Sequence, residues 1–366
     1  MELAYKNKKS IKEIEQKIQR VCEQNNKIIQ SKDNMFISGD NFNAMCRLLP
    51  KFENTIDLVY IDPPFNTQGT FHYNQSNPST ISHSKDDMLA YDDNMDLEMY
   101  FEFMRERIYL IKKLLSDKGT LYVHIDIKVG HYIKIILDEV FGRDCFMNEI
   151  TRTKSNPKNF NRKAYGNEKD VIYVYSKVKN NNIFNNIKIE LTAEEISTKF
   201  SKVDKNGRRY TTVPCHAPGE TLNGDTGLMW RNMPPPKGRH WRTIPQELEN
   251  MDKNGLIEWS RTNNPRIIKY ADEHSGKKMQ DIWQNYKDPQ KPMYPTEKNN
   301  SMLNTIIRQS SNESSIIMDC FAGSCSFLNE GLKLNRRVIG IDKSLISINL
   351  LKEREIDTKL DILMND

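Results

Sequence analysis

The stretch that most constrains the fold is a short apolar segment that stops abruptly at an acid and two prolines. Residues 57–61 read Asp-Leu-Val-Tyr-Ile, and this composition predicts a short buried strand. The strand is followed at once by Asp62-Pro63-Pro64-Phe65, in which the two prolines fix two φ angles and remove two backbone donors. A carboxylate, rigid carbonyls and an aromatic ring therefore stand at the carboxyl end of a strand, the edge where open α/β sheets bind ligands.

These groups suit chemistry on a planar exocyclic amino group, whose lone pair is delocalised into its ring. If Asp62 and the Pro63 carbonyl each accept one N–H bond of that group, its nitrogen can become tetrahedral and the lone pair can attack. The ring of Phe65 can stack on the base, a contact worth about 1–3 kcal/mol. The simpler interpretation is a strand end with an Asp-Pro-Pro turn, since turns use both residue types freely.

The sequence around this stretch alternates between strand and helix patterns. An apolar stripe from Leu97 to Leu115 predicts a helix, residues 120–126 predict a buried strand, and residues 129–141 predict a second helix. This β-α-β-α order predicts an α/β fold with a doubly wound, mostly parallel sheet. Residues 9–30 predict an additional helix that packs on the main domain, with a homodimer contact as the alternative.

A second pair of strand ends lies near the end of the chain. Residues 315–319 form an apolar run that ends at Asp319, the turn Phe321-Ala322-Gly323-Ser324 follows, and residues 337–342 form another run that ends at Asp342. Asp62-Pro63-Pro64-Phe65 resembles the catalytic motif of DNA amino-methyltransferases, and the later segment resembles their cofactor motif. Because the catalytic motif comes first, the chain resembles the β class of N6-adenine methyltransferases, including modification subunits of restriction systems, over about residues 33–350.

The resemblance implies a Rossmann-like methyltransferase fold, S-adenosylmethionine as the cofactor, and double-stranded DNA as the substrate, with a flipped adenine methylated at N6. It assigns catalysis to Asp62, Pro63, Pro64 and Phe65. It assigns cofactor binding to Asp40, Lys298, Asp319, Phe321, Ala322, Gly323, Ser324 and Asp342. It implies no metal site.

Each of the main cofactor residues has a physical reason for its assigned place. Asp319 can form a charge-assisted pair with the ammonium of the methionine moiety, and Gly323 lets the backbone approach the ligand closely. Asp342 stands 19 residues after Gly323 (342 − 323), near the offset of about 20 residues that ribose-binding acids have in nucleotide-binding βαβ units. Asp40 lies near the adenosine end in the family, although a helix N-cap explains the same residue equally well.

Two further features of the family pattern concern Lys298 and the cysteines. Lys298 belongs to a Pro-Thr-x-Lys-like segment that opens a helix near the methionine end of the cofactor, with Thr296 as the predicted N-cap. Cys325 stands where the family usually has a second glycine, and Cys320 stands where it usually has a proline. Because Cys325 allows fewer backbone conformations than glycine, the affinity for the cofactor is expected to differ from that of the family.

The composition changes between the two motifs. Residues 150–163 are basic and rich in amides, and Lys and Arg alternate with Trp from Trp230 to Arg242, which suits a surface that grips a deformed duplex. The predicted organisation is therefore as follows: an N-terminal helix at 1–30, a catalytic and cofactor-binding domain at 31–150 and 286–366, and a target-recognition region at 151–285.

Composition places few further limits on the chain. A formal net charge of +5 permits a nucleic-acid partner without requiring one, and six scattered cysteines without a Cys-x2-Cys pair predict neither a zinc site nor a disulfide framework. No window approaches the ~20 apolar residues of a membrane span, and no signal peptide is seen, so a cytoplasmic protein without a membrane partner is expected. A homodimer, and a restriction subunit or separate endonuclease, are further partners that the sequence leaves open.

Three other functions are compatible with parts of this sequence pattern. An N4-cytosine methyltransferase more often has Ser in place of Asp62, and a non-catalytic DNA-binding protein on the same scaffold would not require Asp62-Pro-Pro-Phe65 to be intact. A nicotinamide dehydrogenase would need Gly-x-Gly-x-x-Gly, whereas the sequence from Gly323 reads Gly-Ser-Cys-Ser-Phe-Leu. The dehydrogenase is excluded, and the first two alternatives remain.

Overall fold

The computed structural model describes the following residues: 2–24, 29, 34–64, 70–73, 88–92, 95–154, 163, 165–289, 292 and 297–364, with 70–73 and 88–92 described by their backbone alone. The chain divides into two compact units. The main unit consists of Met1–Ile187 and Gln280–Asp366, and the inserted unit consists of Lys188–Met279.

The strands are, in chain order, β1 Met35–Ser38, β2 Ile56–Ile61, β3 Thr70–Tyr73, β4 Met88–Asp92, β5 Leu115–Ile125, β6 Phe146–Thr153, β7 Lys169–Ser176, β8 Lys188–Ile189, β9 Lys202–Val203, β10 Arg209–Pro214, β11 His216–Pro218, β12 Arg239–Trp241, β13 Ile257–Trp259, β14 Pro265–Tyr270, β15 Lys277–Lys278, β16 Ile282–Trp283, β17 Ile316–Asp319, β18 Arg337–Asp342 and β19 Asp361–Met364. The α-helices are α1 Ile11–Gln24, α2 Asn41–Phe52, α3 Leu97–Leu114, α4 Ile127–Phe141, α5 Ala193–Lys199, α6 Pro245–Lys253, α7 Asn300–Ser310, α8 Ser326–Lys333 and α9 Leu345–Glu353. In the ranges described, none of these helices is long and apolar enough to cross a membrane.

Nine strands of the main unit form one sheet in the order β16-β6-β7-β5-β2-β17-β18-β1-β19. β7 runs antiparallel to its neighbours β5 and β6, and the other neighbouring strands run parallel to each other. Helices connect most of the parallel strands. This arrangement confirms the predicted α/β class with a doubly wound, mostly parallel, Rossmann-like sheet.

Both faces of the sheet are covered. Val59 and Ile61 of β2 belong to a core cluster that also contains Ile108 of α3. Tyr60 of the same strand points to the other face, where it stacks on Phe327 of α8 with the ring centroids 5.4 Å apart. Strands that are buried on both faces have nearly continuous apolar sequences, which explains the composition of β2.

Helices α1 and α7 correspond to two of the predicted helical segments. α1, predicted over residues 9–30, is described up to Gln24 and packs on the main unit through Ile14 and Ile18, which are buried in its core. The prediction that residues 294–298 open α7 is wrong for Lys298, because α7 begins at Asn300. The side chain of Asn299 accepts the backbone N–H of Met302 and caps that helix; Thr296 lies outside the described residues.

The boundary of the inserted unit differs from the predicted position. The sequence sets the beginning of the recognition region at residue 151, whereas the inserted unit begins at Lys188 and ends at Met279. The reason is that β7 lies between β5 and β6 in the main sheet and is buried along most of its length. A role of the inserted unit in target recognition stays a prediction.

The inserted unit has a small sheet, β13-β14-β10-β9, and the antiparallel pairs β11-β12 and β15-β8. The prediction that Trp230 and Trp241 lie on a DNA-gripping surface is wrong, because they are 3% and 2% exposed. Their rings meet edge to face at 5.8 Å, and they form the core of the unit with a few further side chains, Cys215, Leu248, Ile257 and Ile267. A unit of this size contains few aliphatic side chains, so the large tryptophan rings supply much of its buried surface.

Candidate active site

Acids follow or end four neighbouring parallel strands. Asp62 follows β2, Asp319 ends β17, Asp342 ends β18, and Asp40 lies two residues after β1. Because β2, β17, β18 and β1 are parallel neighbours in this order, all four acids meet at the carboxyl edge of the sheet. They line one cavity, as the sequence predicts.

The cavity brings together all but one of the predicted site residues. Those that line it are Asp40, Asp62, Pro63, Pro64, Lys298, Asp319, Phe321, Ala322, Gly323, Ser324 and Asp342. Phe65, the predicted stacking residue, lies outside the described residues. The cavity is also lined by Tyr60 and Phe103, which no sequence motif marks as site residues.

One carboxylate oxygen of Asp62 accepts a hydrogen bond, and the other has no hydrogen-bond partner among the described residues. Its Oδ2 accepts a hydrogen bond from the Lys298 ammonium, and both side chains are largely buried. Its Oδ1 is buried and has no hydrogen-bond partner among the described residues. A buried acceptor without a donor is costly, so this atom favours a ligand that brings an N–H or O–H group. The adjoining Pro64 carbonyl accepts the Tyr100 hydroxyl at 2.8 Å and is thereby fixed.

Asp319 is a buried carboxylate in a ring of acids. It is 4% exposed, and its Oδ1 accepts the backbone N–H of Phe321 at 2.9 Å. Burial, together with the negative charges of Asp62 and Asp342, raises the pKa of Asp319 well above its usual value. The ionised form of Asp319 therefore favours a ligand that carries a positive charge.

Asp342 is prepared to accept further hydrogen bonds. Its Oδ2 accepts the backbone N–H of Gly323 and its Oδ1 accepts that of Ser344, each at 2.8 Å. Burial raises the pKa of Asp342, and these two bonds partly oppose that rise. Each carboxylate oxygen has a second lone pair, so the fixed carboxylate can still accept from a diol.

Asp40 fits both interpretations that the sequence left open, a helix N-cap and a residue of the cofactor cavity. Its side chain accepts the backbone N–H of Asn43 and caps α2, and it also lines the cavity. Arg107, which sequence reasoning missed, forms an ion pair with Asp40 at 3.0 Å and donates to Asn41 at 2.6 Å. The Arg107 guanidinium lies 3.5 Å from the centroid of the Phe103 ring, so an arginine from α3 fixes both residues at the start of α2.

The turn before α8 contains the departure from the family pattern. Cys325 has φ +57° and ψ +15°, a left-handed conformation that glycine adopts freely and that costs other residues about 1–3 kcal/mol. Its thiol is fully buried and lies 3.8 Å from the Ser347 carbonyl. The backbone of the turn therefore has the form that a glycine would give it, although the residue is cysteine.

A buried ion pair behind this turn was not predicted. Arg354, just after α9, pairs with Glu297, and both side chains are 6% exposed. Arg354 also donates to the Ser324 carbonyl at 2.7 Å and to the Ser326 hydroxyl at 2.9 Å. The pair thus joins the cavity turn to the residue that precedes Lys298, and only contacts between distant segments reveal it.

A second buried network reaches the cavity through Tyr60. The Tyr60 hydroxyl and His124 Nδ1 are 2.9 Å apart, and His124 Nε2 lies 3.0 Å from Asp170. Arg152 lies 3.3 Å from Asp170, pairs with Asp288 and is fully buried. The prediction that the segment containing Arg152 contacts DNA is therefore wrong for this residue. His124 is fully buried and is a core histidine.

The arrangement divides the cavity into two chemical halves. Asp319 and Asp342 can hold a ligand that has a cationic group and a diol, while Asp40 lines the same half. Asp62, fixed on one side by Lys298, offers its Oδ1 to an N–H donor. One cavity can therefore hold a charged nucleoside-like ligand beside an amino group.

Comparison with known proteins gives a consistent result. The profile of a family described as DNA methylase matches residues 56–353. The chain is 37% identical over 326 residues to the type II methyltransferase M.EcaI of Enterobacter cloacae, a match that covers 88% of this chain and 69% of that protein. It is 22% identical over 376 residues to the Mod subunit of the type III restriction-modification enzyme StyLTI of Salmonella typhimurium, with 92% of this chain and 57% of that subunit covered.

Two solved structures were also similar to this chain. The M1.HpyAVI complex with its ligand SAM is 15% identical, with a TM-score of 0.44, and the match covers 87% of this chain and 98% of that one. The cytosine-N4-specific PvuII DNA methyltransferase is 13% identical, with a TM-score of 0.41, and the match covers 91% of this chain and 98% of that one.

Proposed function

Because this chain belongs to the DNA methylase family, we propose that it transfers a methyl group from S-adenosylmethionine to N6 of adenine at a specific site in double-stranded DNA. The family establishes the coarser statement, a DNA methyltransferase that uses S-adenosylmethionine and is related to enzymes of restriction-modification systems. The target base, the site residues and the role of the inserted unit are parts of the proposal.

The observation that carries the proposal is the free acceptor of Asp62 beside the two acids of the cofactor half. Asp62 Oδ1 is buried without a partner among the described residues, and it lines the same cavity as Asp319 and Asp342. A methyl donor with an ammonium group and a ribose fits Asp319 and Asp342, respectively. An amino group that enters from the other side meets Asp62 Oδ1.

The chain's own residues then act by position and charge. When bound, S-adenosylmethionine supplies an electrophilic methyl group on a sulfonium, a good leaving group. Asp62 Oδ1 and the Pro63 carbonyl would accept the two N–H bonds of the adenine amino group and so free its lone pair to take the methyl group. The sulfonium would leave as a neutral thioether, and the amino nitrogen would give up one proton, which Asp62 Oδ1 can accept. Lys298 holds the other oxygen of Asp62 and keeps the carboxylate oriented, and most of the acceleration comes from this orientation.

Access to the base requires that it leaves the duplex. Flipping costs a few kcal/mol, and stacking on Phe65 offsets part of that cost. The inserted unit, with 16 Lys and Arg against 12 Asp and Glu, is proposed to contact the DNA and to select the site. A homodimer and a restriction partner stay predictions.

Cytosine N4 is the alternative target, because it is also an exocyclic amine on a planar ring. Asp62 favours adenine, since the resemblance of the sequence motif associates serine at this position with cytosine enzymes. A non-catalytic DNA-binding protein is the alternative of another class. The intact acceptor at Asp62 and the paired acids of the cofactor half support an enzyme.

The test is transfer of labelled methyl from S-adenosylmethionine to plasmid DNA, followed by digestion to nucleosides. Wild type, Asp62→Ala and Asp57→Ala are compared; Asp57 is a matched control because it lies near the other end of β2 and accepts only from Ser116 among the hydrogen bonds seen. The expected label is in N6-methyladenosine, lost in Asp62→Ala and retained in Asp57→Ala. Label in N4-methylcytosine would change the target, and no transfer by a wild type that binds DNA would refute the enzyme.

A further inference from the structure

The turn before α8, residues 320–326, contains one residue in a backbone conformation that its side chain disfavours. We call this segment the cofactor turn. Cys325 has φ +57° and ψ +15°, in the left-handed region that residues with a Cβ rarely adopt. It is the N-cap of α8, where an extended backbone and a capping side chain are usual, but its side chain caps no N–H among the residues described. Contacts from outside the turn are therefore needed to hold Cys325 in this form.

Both neighbours of Cys325 are held by one arginine that lies outside the cofactor turn. Arg354, which follows α9, donates its Nε–H to the Ser324 carbonyl at 2.7 Å and an Nη2–H to the Ser326 hydroxyl at 2.9 Å. A guanidinium is planar and offers its N–H groups in a fixed geometry. Bonds on either side of Cys325 therefore set the path of the backbone between them.

Glu297 orients both the guanidinium and the two serines. It forms an ion pair with Arg354, and its Oε1 also accepts the Ser326 hydroxyl at 3.0 Å. The hydroxyls of Ser324 and Ser326 are 2.9 Å apart, and because Ser326 gives its proton to Glu297, Ser324 is the donor of this bond. The side chains of Glu297 and Arg354 are each 6% exposed, so little water competes for these bonds. We call these two residues the clamp.

The clamp fixes a segment that lines the cavity. Gly323 and Ser324 belong to the cavity lining, and the Gly323 N–H donates to Asp342, the acid that is proposed to accept the ribose hydroxyls. If Cys325 left the left-handed region, the peptides on either side of it would rotate, and these lining groups would move. Arg354 is not among the described residues that line the cavity. It therefore acts on a bound ligand through the cofactor turn.

The Cys325 thiol is a second anchor of the turn, and a weaker one. Its Sγ lies 3.7 Å from the Gly323 carbonyl and 3.8 Å from the Ser347 carbonyl. A thiol is a weak donor, whereas the guanidinium of Arg354 carries a full charge and donates stronger bonds. Two substitutions separate the two anchors. Cys325→Ala removes the thiol and retains the Cβ that disfavours the left-handed form, and Cys325→Gly removes both.

We propose that Arg354 is a positioning residue for S-adenosylmethionine: it holds the cofactor turn in a left-handed form that Cys325 would otherwise leave. Without the clamp, Cys325 relaxes in the free protein to a conformation that suits its side chain, and the cofactor must restore the turn when it binds. With the clamp, the turn has its binding form before the cofactor arrives, and this preorganisation raises the affinity. The inference rests on the proposed function in placing the methyl donor against this turn.

The test measures the Kd of S-adenosylmethionine by calorimetry for the full chain, with and without Arg354→Lys, in the wild-type, Cys325→Ala and Cys325→Gly backgrounds. Lysine retains a charge for Glu297 but lacks the planar fork that holds both neighbours of Cys325. In the wild-type and Cys325→Ala backgrounds, Arg354→Lys should weaken the binding roughly 5- to 100-fold, the range that the strain of one left-handed residue allows. In the Cys325→Gly background it should weaken the binding about threefold at most, because glycine has no such strain to release.

Arg105→Lys is the matched control. Arg105 is another buried arginine of the main unit, with a side chain that is 5% exposed and 3.5 Å from Glu139, and it lies outside the cavity lining as far as the chain is described. Its replacement should leave the Kd unchanged in all three backgrounds. If Arg354→Lys does not fold, the charge-free variant Glu297→Gln/Arg354→Met replaces it, and the loss of affinity should depend on residue 325 in the same way.

An arginine with a merely structural role would give a different result. Its replacement would lower the thermal midpoint and leave the Kd of the folded protein unchanged, or weaken the Kd equally in all three backgrounds, and either result would overturn the proposal. A wild type that does not bind S-adenosylmethionine would also overturn it.

The positioning role and the proposed function fail in different ways. If the Kd values follow the expected pattern but wild type transfers no methyl group to DNA, the positioning role stands and the proposed function is refuted. If wild type methylates DNA while Arg354→Lys retains the wild-type Kd, the proposed function stands and the positioning role is refuted.

Discussion

Replacing Asp319 with asparagine should stabilise the unliganded protein and at the same time abolish tight binding of S-adenosylmethionine. The carboxylate is 4% exposed, and burial and its acidic neighbours raise its pKa well above the usual value. The folded state therefore disfavours the charge that the unfolded chain carries above about pH 3.9. Asparagine removes that charge and retains an oxygen for the Phe321 N–H.

The effect on binding follows from the buried ion pair that Asp319 is proposed to form with the ammonium group of S-adenosylmethionine. Removing one partner of a buried, hydrogen-bonded charge pair costs about 2–5 kcal/mol, which weakens Kd by roughly 30- to 4,000-fold. A ligand at 100 times Kd stabilises wild type by about 2.7 kcal/mol. At about 2–4 °C per kcal/mol, that is a rise in Tm of roughly 5–11 °C. At the same concentration the variant should gain less than about 1 kcal/mol.

The assay is a thermal melt with and without S-adenosylmethionine, with Kd from calorimetry. Asp126→Asn is the matched control, because Asp126 also follows a strand of the sheet, is 5% exposed and lies outside the cavity lining. It should retain the wild-type Kd. Because a raised carboxyl pKa weakens the folded state increasingly as pH rises above about 3.9, the advantage of Asp319→Asn without ligand should grow from pH 4 towards neutrality. A Kd within threefold of wild type, or a lower Tm without ligand, would refute the reasoning.

Two further predictions concern the buried networks. Glu297→Gln should lower the free energy of unfolding by about 3–5 kcal/mol, because it leaves the charge of Arg354 buried without its partner. In urea unfolding, the double variant Glu297→Gln/Arg354→Met should recover part of that loss. Equal losses in the single and double variants would contradict a coupled pair. Asp170→Asn should destabilise the protein at pH 7: burial alone would raise the pKa of Asp170, but its contacts with His124 and Arg152 hold it below its usual value. A carboxyl whose pKa is lowered in the folded state stabilises the protein above the unfolded pKa of about 3.9, and this stabilisation is lost as the pH falls below that value. The free energies of unfolding of variant and wild type, measured in urea, should therefore differ less at pH 3.5 than at pH 7. A difference that is the same at both pH values would show that the charge of Asp170 is not responsible.

The sequence predicted the part of the site that local patterns encode. An apolar run that ends in an acid identifies a strand end, and parallel strands place their ends at one edge of a sheet. Asp62, Asp319 and Asp342 could therefore be assigned before any contact was known. Lys298 was assigned to the same cavity, which it lines, but its contact with Asp62 spans 236 residues and has no local signal.

Residues that act through distant contacts could not be predicted in this way. Tyr60, His124, Asp170 and Arg152 come from four strands, and each has a more ordinary interpretation when it is considered alone. Arg152 was taken as a DNA contact because its neighbours are basic. A signal did exist: Arg152 stands two residues after Ile150 in a strand, so both side chains point to the same buried face.

In the inserted unit, the prediction was wrong because core residues were interpreted as surface residues. Trp230 and Trp241 were interpreted from their cationic neighbours, although tryptophan supplies more buried area than any other side chain. In a small sheet that area is needed inside, and the arginines between the tryptophans remain outside. Alternation of cations with aromatics therefore predicts a surface only when another set of residues can form the core.

The position of β1 in the sheet affects how the protein folds during its synthesis. β1 is the first strand in the described part of the chain, yet its neighbours are β18 and β19, so that Met35 lies between Ile339 and Asp361. Pairings over such separations form slowly, and until they form, a growing chain exposes strand edges that can join other chains. Asp40 and Asp342 therefore line one cavity only after β18 has been synthesised and has paired with β1. The cavity is therefore incomplete in a growing chain that does not yet contain β18.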